Sequence, residues 1–306
     1  MIARLDNLRK NPTVFRHLTG LAVAVFDALA ADVVPAIEAA HRQTLDRPDR
    51  QRAIGGGDHF DLSTADQLLL TVIWLRQYPT NEVLGFLFGV SDSTASRARA
   101  RCLPALERAG KDTMRMPDPG AGKRKRLPAL LKDTPGLAVV IDSFEQRTHR
   151  PGRRQRAYYS GKKKAHTLKS QVAVDEDTGR FVDVSDSVPG PWADIKLLKK
   201  SRILRRLPEG VGGIGDLAYV GIGELHPEGL GAAPRRKPRG KERPPEDRRY
   251  NRAFSRRRII VEHAIGRLRR FRAVAHVNRH RRAGHAMRVR AIAGLVNRML
   301  DHPSAS

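Results

Sequence analysis

The apolar residues of this chain change period once, near residue 137, and that change separates two kinds of structure. Upstream they recur every three or four residues. Leu18, Leu21, Val25, Leu29, Val33 and Ile37 share one stripe behind the start signal Asn11-Pro12-Thr13, so one helix is expected over residues 12–45. Asp27 and Asp32 interrupt that stripe, which makes it amphipathic and not a membrane span. Gly55-Gly56-Gly57 breaks the pattern. Downstream, Leu137–Ile141 is a continuous apolar run of strand length. His166–Val174 places Leu168, Val172 and Val174 on one face of a strand, and Asp177-Thr178-Gly179 turns the chain back through Phe181–Val184. A helix over Asp194–Leu207, a short strand at Val211–Gly215, an irregular loop over 226–250, a helix over Ser255–Phe271 and a last helix over 283–300 complete the expectation. The fold class is α/β with a mixed sheet, preceded by an all-α region.

Within the helical part, one segment is more specific. Ser63 or Thr64 caps a helix carrying Leu68–Leu75, and Tyr78-Pro79-Thr80 stops it. A short helix, Asn81–Phe88, then leads through Gly89-Val90-Ser91 into a second helix from Asp92 or Ser93. Two short helices about a glycine turn form a helix-turn-helix pattern. The second helix presents Ser93, Thr94 and Ser96 to base edges and Arg97, Arg99 and Arg101 to phosphates or guanines. The plainer alternative is a helical hairpin with a solvated basic face. These signals divide the chain into a helical region over 1–108 with the helix-turn-helix at 62–107, a basic linker over 109–136 that includes Lys123-Arg124-Lys125-Arg126, and an α/β domain over 137–306.

Charge narrows the partner. The chain holds 58 Lys and Arg against 32 Asp and Glu, a net charge of +26. A field of that sign draws polyanions, and each phosphate contact releases a condensed counterion, so nucleic acid is the expected partner. With 40% hydrophobic residues the chain has enough apolar side chains for folded domains. The single cysteine, Cys102, excludes an intrachain disulfide and a thiolate metal site, and reads as a small core residue in a reducing cytoplasm. Residues 1–18 are too mixed for a secretory leader, so a cytoplasmic, nucleoid-associated location without membrane contact is expected.

Three carboxylates stand on or beside hydrophobic elements. Asp142 closes the run Leu137–Ile141, and Asp216 follows Val211–Gly215. Glu262 lies in Arg258–Ile265, about 100° round the helix from Val261 and so on the shoulder of the apolar stripe. Hydrolysis or transfer of a phosphodiester needs an activated oxygen nucleophile and relief of charge on the leaving oxygen; two divalent ions about 4 Å apart supply both. Mg²⁺ takes hard oxygen ligands and keeps waters, so a few rigidly held carboxylates suffice. Taken singly, each has an ordinary reading: a strand-end cap at Asp142, a turn residue at Asp216, an i−4 partner for Arg258 at Glu262.

The blocks around these acids resemble a known family. Asp142-Ser143-Phe144-Glu145 through Arg150-Pro151 is similar to the first-aspartate segment of Harbinger-like DDE superfamily transposases of bacterial insertion sequences. Tyr159-Ser160-Gly161-Lys162-Lys163-Lys164-Ala165-His166-Thr167-Leu168-Lys169 resembles their Tyr-Ser-Gly-Lys-Lys-x-x-His-Thr-x-Lys block, Gly215–Gly221 their Gly-Asp-x-Gly-Tyr-x-Gly block, and Phe254–Phe271 their glutamate helix. The resemblance spans roughly residues 60–300. It implies an RNase H-like core, a metal-binding catalytic triad of Asp142, Asp216 and Glu262 with Mg²⁺ or Mn²⁺, two ions in all, and cleavage and strand transfer at the terminal inverted repeats of an insertion sequence. Double-stranded DNA, both element ends and target, is the implied partner, and synapsis of two ends implies a homo-oligomer. Ala218 replaces the glycine after the second aspartate, and Trp192-Ala193-Asp194 stands where the family has His-Asp. These departures keep open a DNA-binding protein derived from a transposase but without activity, and they keep Asp194 as a competing middle carboxylate, although its place at a helix start also suits an N-cap. Residues 150–170 carry eight cations and no acid. Of these, Lys162, Lys163, Lys164 and Lys169, with His166, are the expected DNA contacts beside the site. Asp175-Glu176-Asp177 reads as a solvated hairpin turn.

Overall fold

The computed structural model describes residues 3–46, 51, 60–120 and 127–302; the expected break at Gly55–Gly57 and the Lys123–Arg126 run lie outside them. The chain divides into two compact units, residues 1–112 with 270–275 and 290–306, and residues 113–269 with 276–289.

The first unit opens with α1 (Leu5–Arg9), α2 (Pro12–Thr19) and α3 (Val23–Leu45). The single helix expected over 12–45 is thus broken. Gly20 adopts φ +80°, a left-handed conformation that ends α2, and Thr19 turns its hydroxyl back onto the Phe15 carbonyl. No single helix among the described residues is long and apolar enough to cross a membrane. Then come α4 (Thr64–Gln77), α5 (Asn81–Phe88) and α6 (Asp92–Asp112). Ser63 caps α4 by accepting from the Asp66 amide, and Thr80 caps α5 through Val83. Gly89 ends α5 in the left-handed region, and the chain folds so tightly onto Gly85 that a Cβ there would meet the Val90 carbonyl at 2.5 Å. This turn fixes α5 against α6 as the helix-turn-helix. α6 runs on through Asp112, so the linker expected from 109 starts inside a helix. Cys102 is fully buried, and burial pushes its thiol up to about 11, an inert core residue.

The second unit is built on a seven-stranded sheet. Its strands are β1 (Ala138–Arg147), β2 (Tyr159–Ser160), β3 (Ala165–Asp175), β4 (Phe181–Val184), β5 (Val188–Pro189), β6 (Gly212–Ile214) and β7 (Gly231–Ala232). The helices are α7 (Gln155–Tyr158), α8 (Asp194–Ser201), α9 (Ile222–Leu225) and α10 (Pro245–Arg269). β1 is antiparallel to β3, β3 to β4, and β1 is parallel to β6, which is parallel to β7. Leaving aside the two-residue β2 and β5, the main strands lie in the order β4-β3-β1-β6-β7, an antiparallel meander extended by two parallel strands, which is the RNase H-like arrangement. α11 (Arg272–Ala275) and α12 (His285–Asp301) follow, and α11 with α12 from Arg290 onward belongs to the first unit. The expected domain over 137–306 therefore gives up its last helix, because the apolar stripe of α12 packs where sequence order does not point.

Three boundaries differ for local reasons. β1 continues past Asp142 to Arg147 because the continuous apolar run gives way to alternation, with Phe144 and Gln146 buried, so Asp142 lies inside a strand rather than at its end. α8 stops at Ser201, where Arg202 turns left-handed at φ +54°, and a short 3-10 turn replaces its expected continuation. The loop expected over 226–250 contains β7 and the first residues of α10.

The expected solvated turn at 175–177 is corrected at its centre. Glu176 is buried and accepts two hydrogen bonds from Arg257 of α10, Nε to Oε1 at 2.8 Å and Nη2 to Oε2 at 2.5 Å. The same guanidinium donates to Thr134 Oγ1 and the Pro135 carbonyl, in what was expected to be linker. Four bonds from one planar cation fix α10 against the start of β1. Removing one member leaves a buried charge without its partner. Arg257→Ala is therefore expected to cost about 3–5 kcal/mol of stability, read by urea unfolding; a loss below about 1 kcal/mol would mean that the network does not hold the helix.

Candidate active site

The register of the parallel pair brings the first two acids together. Val140 of β1 lies opposite Ile214 of β6, and Asp216 keeps extended backbone two residues on, with φ −83° and ψ −171°. Asp142 and Asp216 thus each lie two residues beyond that pair, near enough for the charge of Asp216 to act on Asp142. Side chains alternate along β1. Val139 and Ile141 enter the core with Leu198, Leu204, Tyr219 and Ile222, so Val140, Asp142 and Phe144 face the other way. That face is covered by α10, whose Arg269 guanidinium lies 5.8 Å from the Phe144 ring centroid.

Burial is the largest influence on Asp142 and raises its carboxyl to about 6; the charges of Asp216 and Asp194 raise it further, while the Ser143 amide and Arg258 work against them. Asp216 accepts from the Ala218 amide at 2.8 Å and caps a 3-10 turn. Ala218 is not among the described residues with left-handed backbone, so alanine serves where the resembling block has glycine. Tyr219 is fully buried below the acids. Burial raises its hydroxyl well above the usual phenol range, with Asp194, Asp142 and Asp216 adding to it. Gly215 is required by this ring: a Cβ there would meet Tyr219 Cβ at 2.7 Å.

Asp194 is not the N-cap of α8; Ala193 holds that position. Its Oδ1 instead accepts from Ser143 Oγ at 2.5 Å and from Lys169 Nζ at 2.9 Å. Lys169 also donates to the Trp192 carbonyl and is itself buried. This corrects its expected role: the ammonium is spent inside the protein on Asp194 and is not free for a DNA phosphate.

Glu262 is exposed on α10, and the α10 charge acting on Asp142 is Arg258, one turn earlier, whose Nε is buried without a hydrogen-bond partner. Among the described residues no three His, Cys, Asp or Glu side chains are grouped closely enough to hold an ion together. Asp216 and Asp194 both lie near enough for their charge to act on Asp142, with Asp194 anchored to the neighbouring Ser143. The donor set at Asp142 and Asp216 is all carboxylate oxygen and crowded with like charge, which fits a hard divalent cation that needs only one or two protein carboxylates besides water and phosphate.

The other expected contacts divide. Ser93 and Arg97 are exposed at the start of α6, with Thr94 and Ser96 half-buried beside them, and Arg97 lies against Ser93 Oγ and Thr94 Oγ1. Arg99 is turned inward instead, donating to Asn81 Oδ1 with its guanidinium 4.4 Å from the Trp74 ring centroid. Arg101 bonds Gln67 Oε1 and stacks on Phe60. The i, i+2, i+4 spacing spreads three arginines around a helix, and only Arg97 points outward. Lys162, Lys163 and Lys164 are exposed on the β2–β3 loop, with His166 half-buried behind them.

Comparison with known proteins gives the family. Residues 141–297 match the model of the DDE superfamily endonuclease, and residues 60–112 match the helix-turn-helix of DDE superfamily endonuclease. The chain belongs to the DDE-superfamily transposases of insertion sequences. It is 30% identical over 285 residues, 92% of its length and 93% of the relative's, to the probable transposase for insertion sequence element IS702 of Microchaete diplosiphon. No solved structure matches it significantly.

One residue was missed entirely in the sequence. His285 of the transposase is fully buried, with Nε2 on Gln146 Oε1 at 2.6 Å and Nδ1 on the Ser187 hydroxyl at 2.6 Å. Burial, then Arg288, lowers its pKa to about 3, so it is a neutral strut beneath β1. A lone histidine opening a helix carries no sequence signal for that.

The crowding at Asp142 has a measurable cost. Its folded pKa of about 6 exceeds the ordinary 3.8, so between those values the folded protein binds the extra proton and stability falls as pH rises. Asp142→Asn is expected to raise stability at pH 7 without divalent metal by about 1–2 kcal/mol and to flatten the fall between pH 4 and 6. Urea unfolding in chelator across that range checks it, and an unchanged or less stable variant contradicts it.

Proposed function

We propose that this transposase cleaves DNA at the ends of an insertion sequence and joins the freed 3′ ends to target DNA, with Asp142 and Asp216 as its fixed metal-binding carboxylates and Glu262 as the third. The observation that carries the reading is the mutual nearness of Asp142 and Asp216, each two residues beyond the Val140–Ile214 pair of the parallel strands and electrostatically coupled, in a chain of net charge +26. Bound Mg²⁺ or Mn²⁺, two ions in the full complement, would activate the attacking oxygen and stabilise the leaving one.

The chain's own groups have distinct tasks in this scheme. Asp142 on β1 and Asp216 just past the end of β6 supply the oxygen donors. Ser143 and Lys169 fix the orientation of Asp194 through hydrogen bonds to its Oδ1. Tyr219 and the core behind it exclude water from one side of the acids. Lys162, Lys163 and Lys164 place mobile positive charge for the phosphate backbone, and α6 offers Ser93, Thr94, Ser96 and Arg97 to the terminal repeats. Water attacks in the first step and the 3′-hydroxyl in the second, both in-line displacements at phosphorus governed by positioning. Synapsis of two ends calls for a homo-oligomer.

The departures at Ala193 and Ala218 favour a second reading: a DNA-binding descendant of a transposase that no longer cuts. One experiment separates the two. Nicking of supercoiled DNA is expected only with Mg²⁺ or Mn²⁺, and to fall by roughly a hundredfold or more in Asp142→Ala, Asp216→Ala and Glu262→Ala, with duplex binding retained. Absence of metal-dependent nicking by the wild type supports the inactive reading, and undiminished cutting by all three variants removes the site assignment. Replacing Lys162, Lys163 and Lys164 together by alanine is expected to reduce the salt dependence of binding by about two to three counterions, read from log Kd against log salt.

A further inference from the structure

The β2–β3 hairpin holds a feature that the carboxylates do not use. A cavity of about 320 Å³ is lined by Gln155, Arg156, Tyr159 and His166. Tyr159 and His166 are directly paired across the hairpin, with ring centroids 5.6 Å apart and planes at 74°, so one ring meets the edge of the other. Tyr159 is 48% exposed, which leaves much of its ring uncovered. The neighbouring Tyr158 is different: the Arg282 guanidinium lies 4.4 Å from its ring centroid. Of two adjacent tyrosines, one ring is stacked and the other is open beside the cavity.

The charge around the cavity is all of one sign. Arg156 has no carboxylate partner among the described residues, and exposed Lys162, Lys163 and Lys164 follow on the same hairpin. The backbone is held out of its ordinary conformations here. Arg154 and Lys164, at φ +56° and +45°, are two of the four described non-glycine residues with left-handed backbone, and they bracket the cavity-lining residues Gln155, Arg156 and Tyr159. Each costs of order 1 kcal/mol or more. Arg150 Nε donates to Gln155 Oε1 at 2.8 Å and steadies the wall. The site is separate from the acids. His166 lies six residues along β3 from Val172, the register partner of Asp142, a span of about 20 Å.

We infer that this cavity binds one unpaired nucleobase of the DNA, stacked on the open face of Tyr159 and edged by His166, with Arg156 and the lysines on the flanking phosphates. This rests on the DNA reading above and goes beyond it, because phosphate contacts alone need no aromatic ring. An uncovered aromatic face beside unpaired cations is the combination that holds a base out of its stack, and stacking of one base contributes about 1–3 kcal/mol.

The test uses the full chain in chelator, so that no cutting intervenes, and two duplexes that differ only by one bulged 2-aminopurine. The wild type is expected to bind the bulged duplex about tenfold more tightly than the paired one, with a change in 2-aminopurine emission on binding. Tyr159→Ala is expected to abolish both the preference and the emission change while binding the paired duplex as before. Tyr159→Phe, which keeps the ring, is expected to keep both. Arg156→Gln is expected to weaken the bulged duplex more than the paired one. Equal affinity of the wild type for both duplexes, or a preference that survives in Tyr159→Ala, overturns the inference while leaving DNA binding intact. A wild type that binds neither duplex removes the DNA reading and this inference with it.

Discussion

Like charge held in one place is the constraint around which the second unit is arranged. Parallel pairing of β1 with β6 carries the chain to two nearby aspartates, and α8 brings a third acid whose charge also acts on Asp142. Nothing in folding favours this: burial and mutual repulsion raise Asp142, and only a strand ladder stiff enough to ignore the repulsion keeps the groups together. The protein answers with fixed cations. Lys169 is buried to hold Asp194, and Arg258 is aimed at Asp142 from α10. The result is a site that binds positive charge more readily than it tolerates being empty of it.

Rigidity comes from polar contacts placed where apolar packing cannot specify position. The Arg257 network fixes α10 against the start of β1. His285 joins Gln146 of β1 to Ser187, which in turn reaches Ser170 of β3. Each of these buried groups has its hydrogen bonds met by partners distant in the chain, so they specify one packing of helix on sheet in a way that interchangeable Val and Ile cannot. The helix that carries Glu262 is therefore well placed at its Arg257 end, while Glu262 itself faces outward from it.

The cationic residues show how one composition serves two purposes. Arg99, Arg101, Lys169 and Arg257 all lie within strongly basic stretches, yet each is engaged internally with an amide, an aromatic ring or a carboxylate. Arg97, Lys162, Lys163 and Lys164 lie in the same stretches and face outward. Net charge forecasts the kind of partner but not which side chains meet it, since the sign of a residue carries no information about its direction.

What the sequence determined by itself was everything with a local cause. The helix-turn-helix follows from caps at Ser63 and Thr80 and the left-handed glycine at 89, and the β3–β4 hairpin from alternation and its turn. Asp142 and Asp216 were legible because both follow short apolar runs inside recognisable blocks. Only the tertiary structure decided the rest. It continued β1 beyond Asp142, buried Glu176, turned Lys169 and Arg99 inward, bonded Asp194 to Ser143 and Lys169, and assigned the end of α12 to the first unit. The reason is common to all of them. A side chain's period gives its face on its own element, whereas its partner is set by register and packing between elements far apart in the chain, which no local pattern encodes.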